Sequence, residues 1–470
     1  MQFLTDPQIE AIDQTARSIL EKIGVKIMDP DLCERLKAGG NSVDAAGGVV
    51  HLDPGWLDEH LAQAPSRFTL CGREQRHDLL MGQGRVYFGN GGRVFQIHDI
   101  TGGRTRPSQL RDVAYTAALV DALEHIRFYI IACQAHDLAP AHYHLNDFYQ
   151  AFGHTTKHVM GGVDTLKGMR QMYDLACVVA GNPDKLRQRP VVSVITNAIS
   201  PLVLDAETLR IMAFAAQNGI PLAFAPAPIS GATAPASLAG TLAQLHAEAL
   251  TGVALVQFFA PGAPVLYGAV ASTMDLRTMD LAMGSVESAM INTASVALAH
   301  RYHLPIYATA GLSDAKITDI QAGFEKGVSN LLLGRAGADF IHLAAGMLDS
   351  GNAIAFEQYV IDNELLGMIE RILRGIDVST ATLGMEAISQ AGPGGNYVMA
   401  DHTVEHMFHE FFYPQLAVRE QYDRWVEQGR PTPLTKAKML VDQHLQASAM
   451  RLPADTVVRL RKRFPRIVDP

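Results

Sequence analysis

The sequence is poor in cysteine, tryptophan and charge. Its 470 residues include 4 cysteines and 2 tryptophans, and only 19% are charged whereas 48% are hydrophobic. The four cysteines form no CxxC pair, which argues against a disulfide framework or a thiolate zinc knuckle. No stretch reaches ~18 uninterrupted apolar residues, and the first candidate helix is too charged for a signal peptide. We therefore expect a cytoplasmic globular protein with a large core.

Basic residues are also sparse and scattered. The formal net charge is -9, and the only basic cluster is in the last candidate helix, residues 459–466. A nucleic-acid-binding protein concentrates Lys and Arg on one surface. We therefore expect a small-molecule substrate, no nucleic-acid partner and no membrane partner, and we expect the chain to form a homo-oligomer.

Short β-rich segments recur eight times, and their starts are roughly 30 to 43 residues apart. Helical patterns fill the intervals. This alternation predicts an α/β protein with a closed (β/α)₈ TIM barrel, and an open doubly wound sheet is the alternative. The predicted strands are residues 86–89, 127–132, 158–161, 191–196, 222–225, 265–268, 306–309 and 340–343.

The barrel is expected to occupy residues 81–390. Residues 1–80 are predicted as an α-rich N-terminal extension, in which apolar residues from Leu4 to Ile23 recur at helical spacing after a cap at Thr5 or Asp6. Residues 391–470 are predicted as a C-terminal helical region packed on the barrel.

Glycine, proline and polar residues crowd the ends of the predicted strands. They include Gly89-Asn90-Gly91-Gly92, Thr196-Asn197 and Thr309-Ala310-Gly311. In a TIM barrel these ends share one rim, where the enzymes of this fold carry their chemistry. The Gly89–Gly92 segment lacks the spacing of a phosphate-binding loop, so turn chemistry is its better interpretation.

Two histidine patterns raise the possibility of a metal site. One is the HxxEH string at His402, Glu405 and His406, and the other is a cluster that runs from the second to the third strand. A five-residue string arises easily by chance, and no carboxylate or thiolate is well spaced for the cluster. We therefore predict no metal, and a metal-dependent hydrolase or lyase is an alternative. The cluster comprises His136, His142, His144, His154 and His158.

His342 interrupts an apolar strand directly before Ala344-Ala345-Gly346. At the barrel mouth such a histidine could donate a charge-assisted hydrogen bond to a carboxylate-bearing substrate, or it could be a satisfied core residue. Asp99 precedes Thr101-Gly102, and on its own it reads as a turn residue.

Several segments resemble one family. They are the run from Asp99 to Arg106, Gly311–Lys326, Ala344–Gly351, Ile361–Met368 and Gly392–Gly395 with the Phe412-Tyr413-Pro414 that follows. In this order they are similar to the trimethylamine methyltransferase (MttB) superfamily over roughly residues 5–445. The resemblance implies a (β/α)₈ methyltransferase that passes a methyl group from an amine to the corrinoid cobalt of a separate protein.

One departure from the family indicates the substrate. The trimethylamine enzymes carry pyrrolysine, whereas this chain contains only the twenty standard residues. Family members without pyrrolysine that have been assigned a function act on quaternary amines, so the resemblance implies glycine betaine, with dimethylglycine as the product. Proline betaine and carnitine are alternatives, as is a non-catalytic betaine-binding protein. The corrinoid (cobalamin) must be delivered by a partner, since the chain has no DxHxxG string.

The same resemblance suggests roles for individual residues. Asp99 and His342 are the predicted catalytic pair, with Asp99 near the pocket, where its charge favours the ammonium or keeps His342 protonated. A carboxylate would be held by His342 first and by Asn197 or Asn90 second. Cation–π contacts to the ammonium are predicted from four aromatic residues. They are Phe224, Tyr267, Tyr307 and Phe356.

Overall fold

The computed structural model describes residues 3–44, 48–100 and 103–469. Eight parallel strands close into a barrel in which each strand pairs with the next along the chain, and the last pairs with the first. The predicted TIM barrel and its eight strands are confirmed. The strands are β1 Tyr87–Asn90, β2 Phe128–Ile130, β3 His158–Gly162, β4 Val192–Thr196, β5 Leu222–Phe224, β6 Val265–Ala269, β7 Ile306–Thr309 and β8 Phe340–Ala345.

A helix follows each strand and covers the outside of the barrel, which is the expected arrangement for parallel strands joined by crossover connections. These helices are α1 Leu110–Ala122, α2 Tyr143–His154, α3 Leu166–Ala180, α4 Ala206–Gln217, α5 Leu238–Phe259, α6 Val286–Arg301, α7 Ile320–Ala336 and α8 Phe356–Arg374.

Helix α5 is covered by protein on two sides. By length and composition it could cross a membrane, but 89% of its apolar window is buried inside the fold. The N-terminal helix Asp6–Lys22 packs on it, and Asp13 of that helix lies 3.0 Å from the imidazole of His246. The apolar character of α5 is therefore that of a core helix between the barrel and the N-terminal region.

The N-terminal region contains helices and a small sheet. Its helices are Asp6–Lys22, Pro30–Ala38 and Pro54–Ala62. Thr5 is the N-cap of the first, as predicted, and its backbone N–H donates to Gln8 Oε1 at 2.8 Å. Three short strands from this region join Val203–Leu204 in one four-stranded sheet and so attach it to the barrel. They are Val25–Ile27, Ser42–Val43 and Val49–His51.

Between α8 and residue 469 the structure contains five further helices. Pro433–Gln446 packs on α8 and α1, and Ala454–Arg463 packs on α3. Between α8 and these two helices, residues 376–411 expose many apolar side chains, among them Met399 at 88% and Phe408 at 77%. The other helices are Met385–Ala391, Asp401–Glu410 and Tyr422–Glu427.

A hairpin extends beyond β1 at the barrel rim. Its antiparallel strands are Gln96–Asp99 and Arg104–Pro107, and the first also pairs with Ala353–Ile354 after β8. Thr101 and Gly102, which suggested a turn in the sequence, lie outside the described residues.

A buried ion pair fixes the ends of β7 and β8. Lys326 Nζ donates to the carbonyl of Gly311 at 2.6 Å and lies 3.1 Å from Asp362 Oδ2. The same carboxylate accepts a hydrogen bond of 2.8 Å from the N–H of Gly346. Because Gly311 follows β7 and Gly346 follows β8, the pair holds two adjacent segments of the rim in register.

Candidate active site

A cavity of about 680 Å³ opens at the carboxyl ends of the strands. A second cavity of about 970 Å³ lies among the segments that precede β1, β2, β3 and β8, at the opposite end. We assign the site to the first cavity, although it is smaller, because TIM-barrel enzymes place their chemistry at the carboxyl ends of the strands. Its lining includes Arg93, Ile130, Asp147, Asp164, Thr196, Asn197, Asp205, Tyr307, His342 and Leu343.

A β-bulge carries His342 into this cavity. Ile341 of β8 pairs with Phe88 and Ala345 pairs with Asn90, so three residues of β8 stand opposite one of β1. Within the bulge Leu343 has φ of +63°, in the left-handed region that a branched side chain rarely adopts. Bulges re-aim side chains and are frequent beside active sites. The bulge explains how a strand residue reaches the mouth of the barrel.

His342 lines the cavity and is 4% exposed. Its Nε2 lies 2.6 Å from Thr309 Oγ1, and its ring stacks on that of Tyr307 with centroids 4.0 Å apart. Burial lowers the pKa of His342 to about 3, because a charged imidazole would lose its hydration. The ring is therefore neutral at pH 7, and the protonated form expected from the sequence does not suit this environment.

Tyr307 belongs to a column of rings inside the barrel. Phe128 stacks on Phe340 at 3.5 Å, Phe340 on Tyr307 at 5.5 Å, and Tyr307 on His342 at 4.0 Å. The imidazole therefore covers one face of the Tyr307 ring. Tyr307 lines the cavity, but because His342 covers one face of its ring, it supports His342 and offers little surface for the predicted cation–π contact.

The two predicted asparagines differ in their roles. Asn197 is exposed at the cavity, and with its amide nitrogen toward the backbone it donates to the carbonyls of Ala225 and Thr196 at 2.9 and 3.0 Å. Asn90 is fully buried and bonds the backbone of Ile130 through both ends of its amide, at 2.7 and 2.8 Å. Asn90 therefore joins β1 to β2 and does not line the cavity.

The other three predicted aromatic residues lie outside the cavity. Phe224 faces Gly252 of α5, where an added Cβ would lie 2.0 Å from its ring. The hydroxyl of Tyr267 hydrogen-bonds His246 of the same helix at 2.9 Å. Strand residues alternate between faces, and the barrel interior takes Ala223 and Leu266 instead. Phe356 packs edge-on against Tyr115 at 6.3 Å, among the outer helices.

Asp99 is on the rim hairpin and is exposed. Its backbone pairs with that of Arg104 across the hairpin. The pKa of Arg106 is raised mainly by its hydrogen bond with Asp112 and that of Glu357 mainly by burial, and the charge of Asp99 adds to both shifts. Asp99 is not part of the described lining of the cavity. The structure thus brings Asn197, Tyr307 and His342 together and leaves Asp99 outside their cavity, because the chain leaves the barrel wall after β1 before it reaches this residue.

Asp147, a buried carboxyl in the cavity wall, was not predicted from the sequence. Asp147 is 2% exposed, and within the described part of the chain its Oδ1 has no hydrogen-bond partner. Burial raises its pKa to about 8. Its position four residues before the buried Ala151 of α2 was the available signal, since it puts a carboxyl on the apolar face of a helix.

The histidine cluster is dispersed. His158 bonds the Cys71 carbonyl and Ser193 inside the barrel, His154 bonds a carbonyl of its own helix, and His144 lies beside Asp164. Across residues 3–44, 48–100 and 103–469, no group of three or more His, Cys, Asp or Glu could hold a metal ion. The structure therefore provides no support for the metal-dependent alternative.

The model of the family described as trimethylamine methyltransferase (MTTB) matches residues 1–463. The chain belongs to this family. A trimethylamine methyltransferase MttB of Desulfitobacterium hafniense is 33% identical over 425 residues, which cover 90% of this chain and 85% of that protein. A glycine betaine methyltransferase of the same species is 30% identical over 431 residues, covering 91% and 89%.

Further relatives of the trimethylamine methyltransferase family include the MttB protein of Methanosarcina thermophila, 32% identical over 437 residues, which cover 91% of this chain and 89% of that protein. Among solved structures, the monomethylamine methyltransferase MtmB of Methanosarcina barkeri has a TM-score of 0.54 at 12% identity, with 94% of each chain covered. At that identity the likeness concerns the fold, and it agrees with the closed barrel.

Proposed function

We propose that this cytoplasmic protein transfers a methyl group from a quaternary amine, glycine betaine first, to the corrinoid of a separate protein. Relatives that are named for trimethylamine and for glycine betaine match at 33% and 30% identity, so identity alone does not select the substrate. The observation that carries the proposal is the cavity of about 680 Å³, at the rim of a barrel of this family, which holds a neutral imidazole and no pyrrolysine.

The chemistry suits a quaternary substrate. When Co(I) of the corrinoid supplies the electron pair of the new cobalt–methyl bond, the carbon–nitrogen bond breaks and its own pair stays on nitrogen, so that dimethylglycine leaves with a neutral tertiary amine and its carboxylate. No proton has to be supplied to this leaving group. The protein has to hold the cation, aim one methyl group outward and exclude water, which is catalysis by positioning and electrostatics.

His342 is the proposed donor to the substrate carboxylate. Its Nε2 is engaged by Thr309, and in the described residues Nδ1 has no partner. If the Thr309 hydroxyl donates to Nε2, the tautomer is fixed and Nδ1–H is left to donate to a carboxylate oxygen. Asn197, at the same cavity, is the second candidate. The proposed catalytic role of Asp99 would have to be exerted from the rim hairpin.

The corrinoid would be presented by a partner protein docked over the rim. Small residues line this side of the cavity at Gly92, Gly162 and Ala198, so little side-chain bulk stands between the site and a flat macrocycle. Two glycines that follow strands have no room for a side chain. A Cβ at Gly91 would lie 2.0 Å from Leu343, and a Cβ at Gly311 would lie 2.5 Å from Ala344. Close packing therefore excludes larger side chains from these two positions of the rim.

A panel assay tests the proposal. Purified protein is supplied with cob(I)alamin and, in turn, glycine betaine, proline betaine, carnitine and trimethylamine, and methylation is followed by absorbance. We expect the fastest methylation with glycine betaine. Faster turnover of another betaine would change the substrate within the proposal. Ligand binding without any methylation would instead indicate the non-catalytic betaine-binding protein.

A further inference from the structure

The cavity has little aromatic surface with which to hold a quaternary ammonium. Such a cation has no N–H to donate, so proteins balance its charge with ring faces or with carboxylates. Among the described lining residues the only Phe, Tyr or Trp is Tyr307, and His342 covers one face of its ring. The opposing charge must therefore come from a carboxylate.

Three carboxyl groups line the cavity, and two of them are already engaged. Asp164 is 2.7 Å from the guanidinium of Arg93 and 3.3 Å from His144 Nε2. Asp205 caps α4 and accepts hydrogen bonds from the N–H groups of Glu207 and Thr208, each at 3.0 Å. The third, Asp147, has the buried Oδ1 without a partner in the described part of the chain.

The titratable groups that face Asp147 come from three loops and from its own helix. One of them, Cys133 after β2, is a buried thiol that stays neutral because burial raises its pKa. Arg93 follows β1 and favours the ionised carboxyl, but it is paired with Asp164. Asp164 follows β3 and Asp137 follows β2, and both oppose ionisation. His144, on the helix of Asp147 itself, is engaged with Asp164. No cation in this described set is committed to Asp147, so a cationic ligand would complete its environment.

We propose that Asp147 is the counter-ion of the substrate ammonium, and that its carboxyl group gives up its proton to solvent when the cation enters the cavity. The identity of the cation rests on the proposed function. The cavity, the unpartnered oxygen of Asp147 and the small aromatic surface among the described lining residues are observed independently of that function. Asp147 would thus supply the negative charge beside the ammonium that was predicted for Asp99.

A pH dependence of binding follows, and its sign is fixed. The pKa of Asp147 is raised to about 8 in the protein without ligand, so the carboxyl is largely protonated at pH 7. A bound cation favours the ionised form and lowers this pKa. Cation affinity should therefore rise with pH by about tenfold per unit below pH 8 and level off above it.

Calorimetry on the unmodified protein measures the released proton directly. Tetramethylammonium is the first probe because it contains the cation alone and does not titrate. Its binding is measured at pH 7 in phosphate and in Tris, whose ionisation enthalpies differ. We expect release of about one proton per bound cation. Binding without proton release would overturn the proposal, and so would a failure of both tetramethylammonium and glycine betaine to bind.

One variant, tested with cationic ligands and with an analogue whose head group carries no charge, separates the effect of ligand charge from that of ligand shape. Asp147→Asn should weaken tetramethylammonium and glycine betaine by roughly tenfold or more, each tenfold being about 1.4 kcal/mol, and should flatten their pH dependence. It should leave the binding of 3,3-dimethylbutanoate nearly unchanged, since in this analogue of glycine betaine a carbon atom replaces the nitrogen and the head group carries no charge. Equal loss for all three ligands would make Asp147 structural. Asp137→Asn is the matched control, since this exposed carboxylate lies near Asp147 outside the lining and its removal should not weaken the cations.

The two proposals can fail separately. Proton-linked cation binding that depends on Asp147, without methyl transfer from glycine betaine, would support the counter-ion and reject the proposed function. Methyl transfer that is unaffected by Asp147→Asn, with no proton released on binding, would support the function and reject the counter-ion.

Discussion

At the scale of single residues, the proposed recognition of the substrate carboxylate depends on His342. Thr309 Oγ1 hydrogen-bonds its Nε2, the ring of Tyr307 stacks on it, and the bulge in β8 sets its position at the barrel mouth. In the proposed tautomer Thr309 donates to Nε2 and the proton is on Nδ1. Burial keeps the imidazole neutral at pH 7, so the group it offers is a single N–H donor. A substrate without a carboxylate would gain nothing from this donor.

The variant His342→Ala tests that role. We expect kcat/KM for glycine betaine to fall by an amount equivalent to ~1.5–3 kcal/mol, the usual worth of a hydrogen bond to a charged group. Quaternary amines without a carboxylate should be almost unaffected. Steady-state assays with both kinds of substrate measure the difference, and equal losses would show that His342 acts only by supporting the fold.

At the same scale, the sequence allowed some site residues to be predicted and not others. A histidine that interrupts an apolar strand at the barrel mouth was recognisable from the pattern around His342. The inward or outward direction of Phe224 and Tyr267 was not, because β5 and β6 are buried on both faces and show no alternation of polarity. Asp147 was missed because a single carboxyl within a helix has no motif.

At the scale of elements, the rim depends on a buried charge pair between α7 and α8. Lys326 and Asp362 are both almost fully buried and together bind the segments after β7 and β8. The His342 bulge lies between these attachments, at residues 342–344. Loss of one charge should therefore disturb the fold and the site together.

Lys326→Met should lower the free energy of unfolding by about 3–5 kcal/mol, because it leaves the Asp362 carboxylate buried without its counter-charge. Urea unfolding followed by circular dichroism measures the loss. The double variant Lys326→Met, Asp362→Leu should recover part of it, since no isolated charge remains. A double variant that loses the sum of both single effects would contradict this interpretation.

The elements of the barrel could be predicted because each is long enough to show its own period. Eight β-rich segments with helical intervals have few other ways to fold. The rim hairpin and the small N-terminal sheet were missed. Their strands are two to four residues long, too short to show alternation.

At the scale of the whole molecule, residues 376–411 form a segment whose apolar side chains are not covered by the rest of the described chain. Its apolar side chains are exposed to an unusual degree, with Ile376 at 86%, Met399 at 88% and Phe408 at 77%. Where such side chains lie together, exposed apolar surface is typical of protein interfaces. The expected homo-oligomer would cover it.

Light scattering after size-exclusion chromatography tests this expectation. We expect a mass of at least two chains for the unmodified protein, and dissociation to one chain when Val404 and Phe408 are both replaced by Glu, which puts charges into the apolar surface. A single-chain mass for the unmodified protein at all concentrations would reject self-association and leave the surface for another partner, such as the corrinoid protein.

The central claim is the transfer of one methyl group from glycine betaine, and nuclear magnetic resonance can follow that group directly. Glycine betaine labelled with ¹³C in its methyl groups is incubated with the protein and cob(I)alamin. We expect one dimethylglycine for each methyl group that reaches the corrinoid, and no transfer from labelled trimethylamine. Transfer from trimethylamine by this chain, or an unchanged glycine betaine spectrum with active cob(I)alamin present, would contradict it.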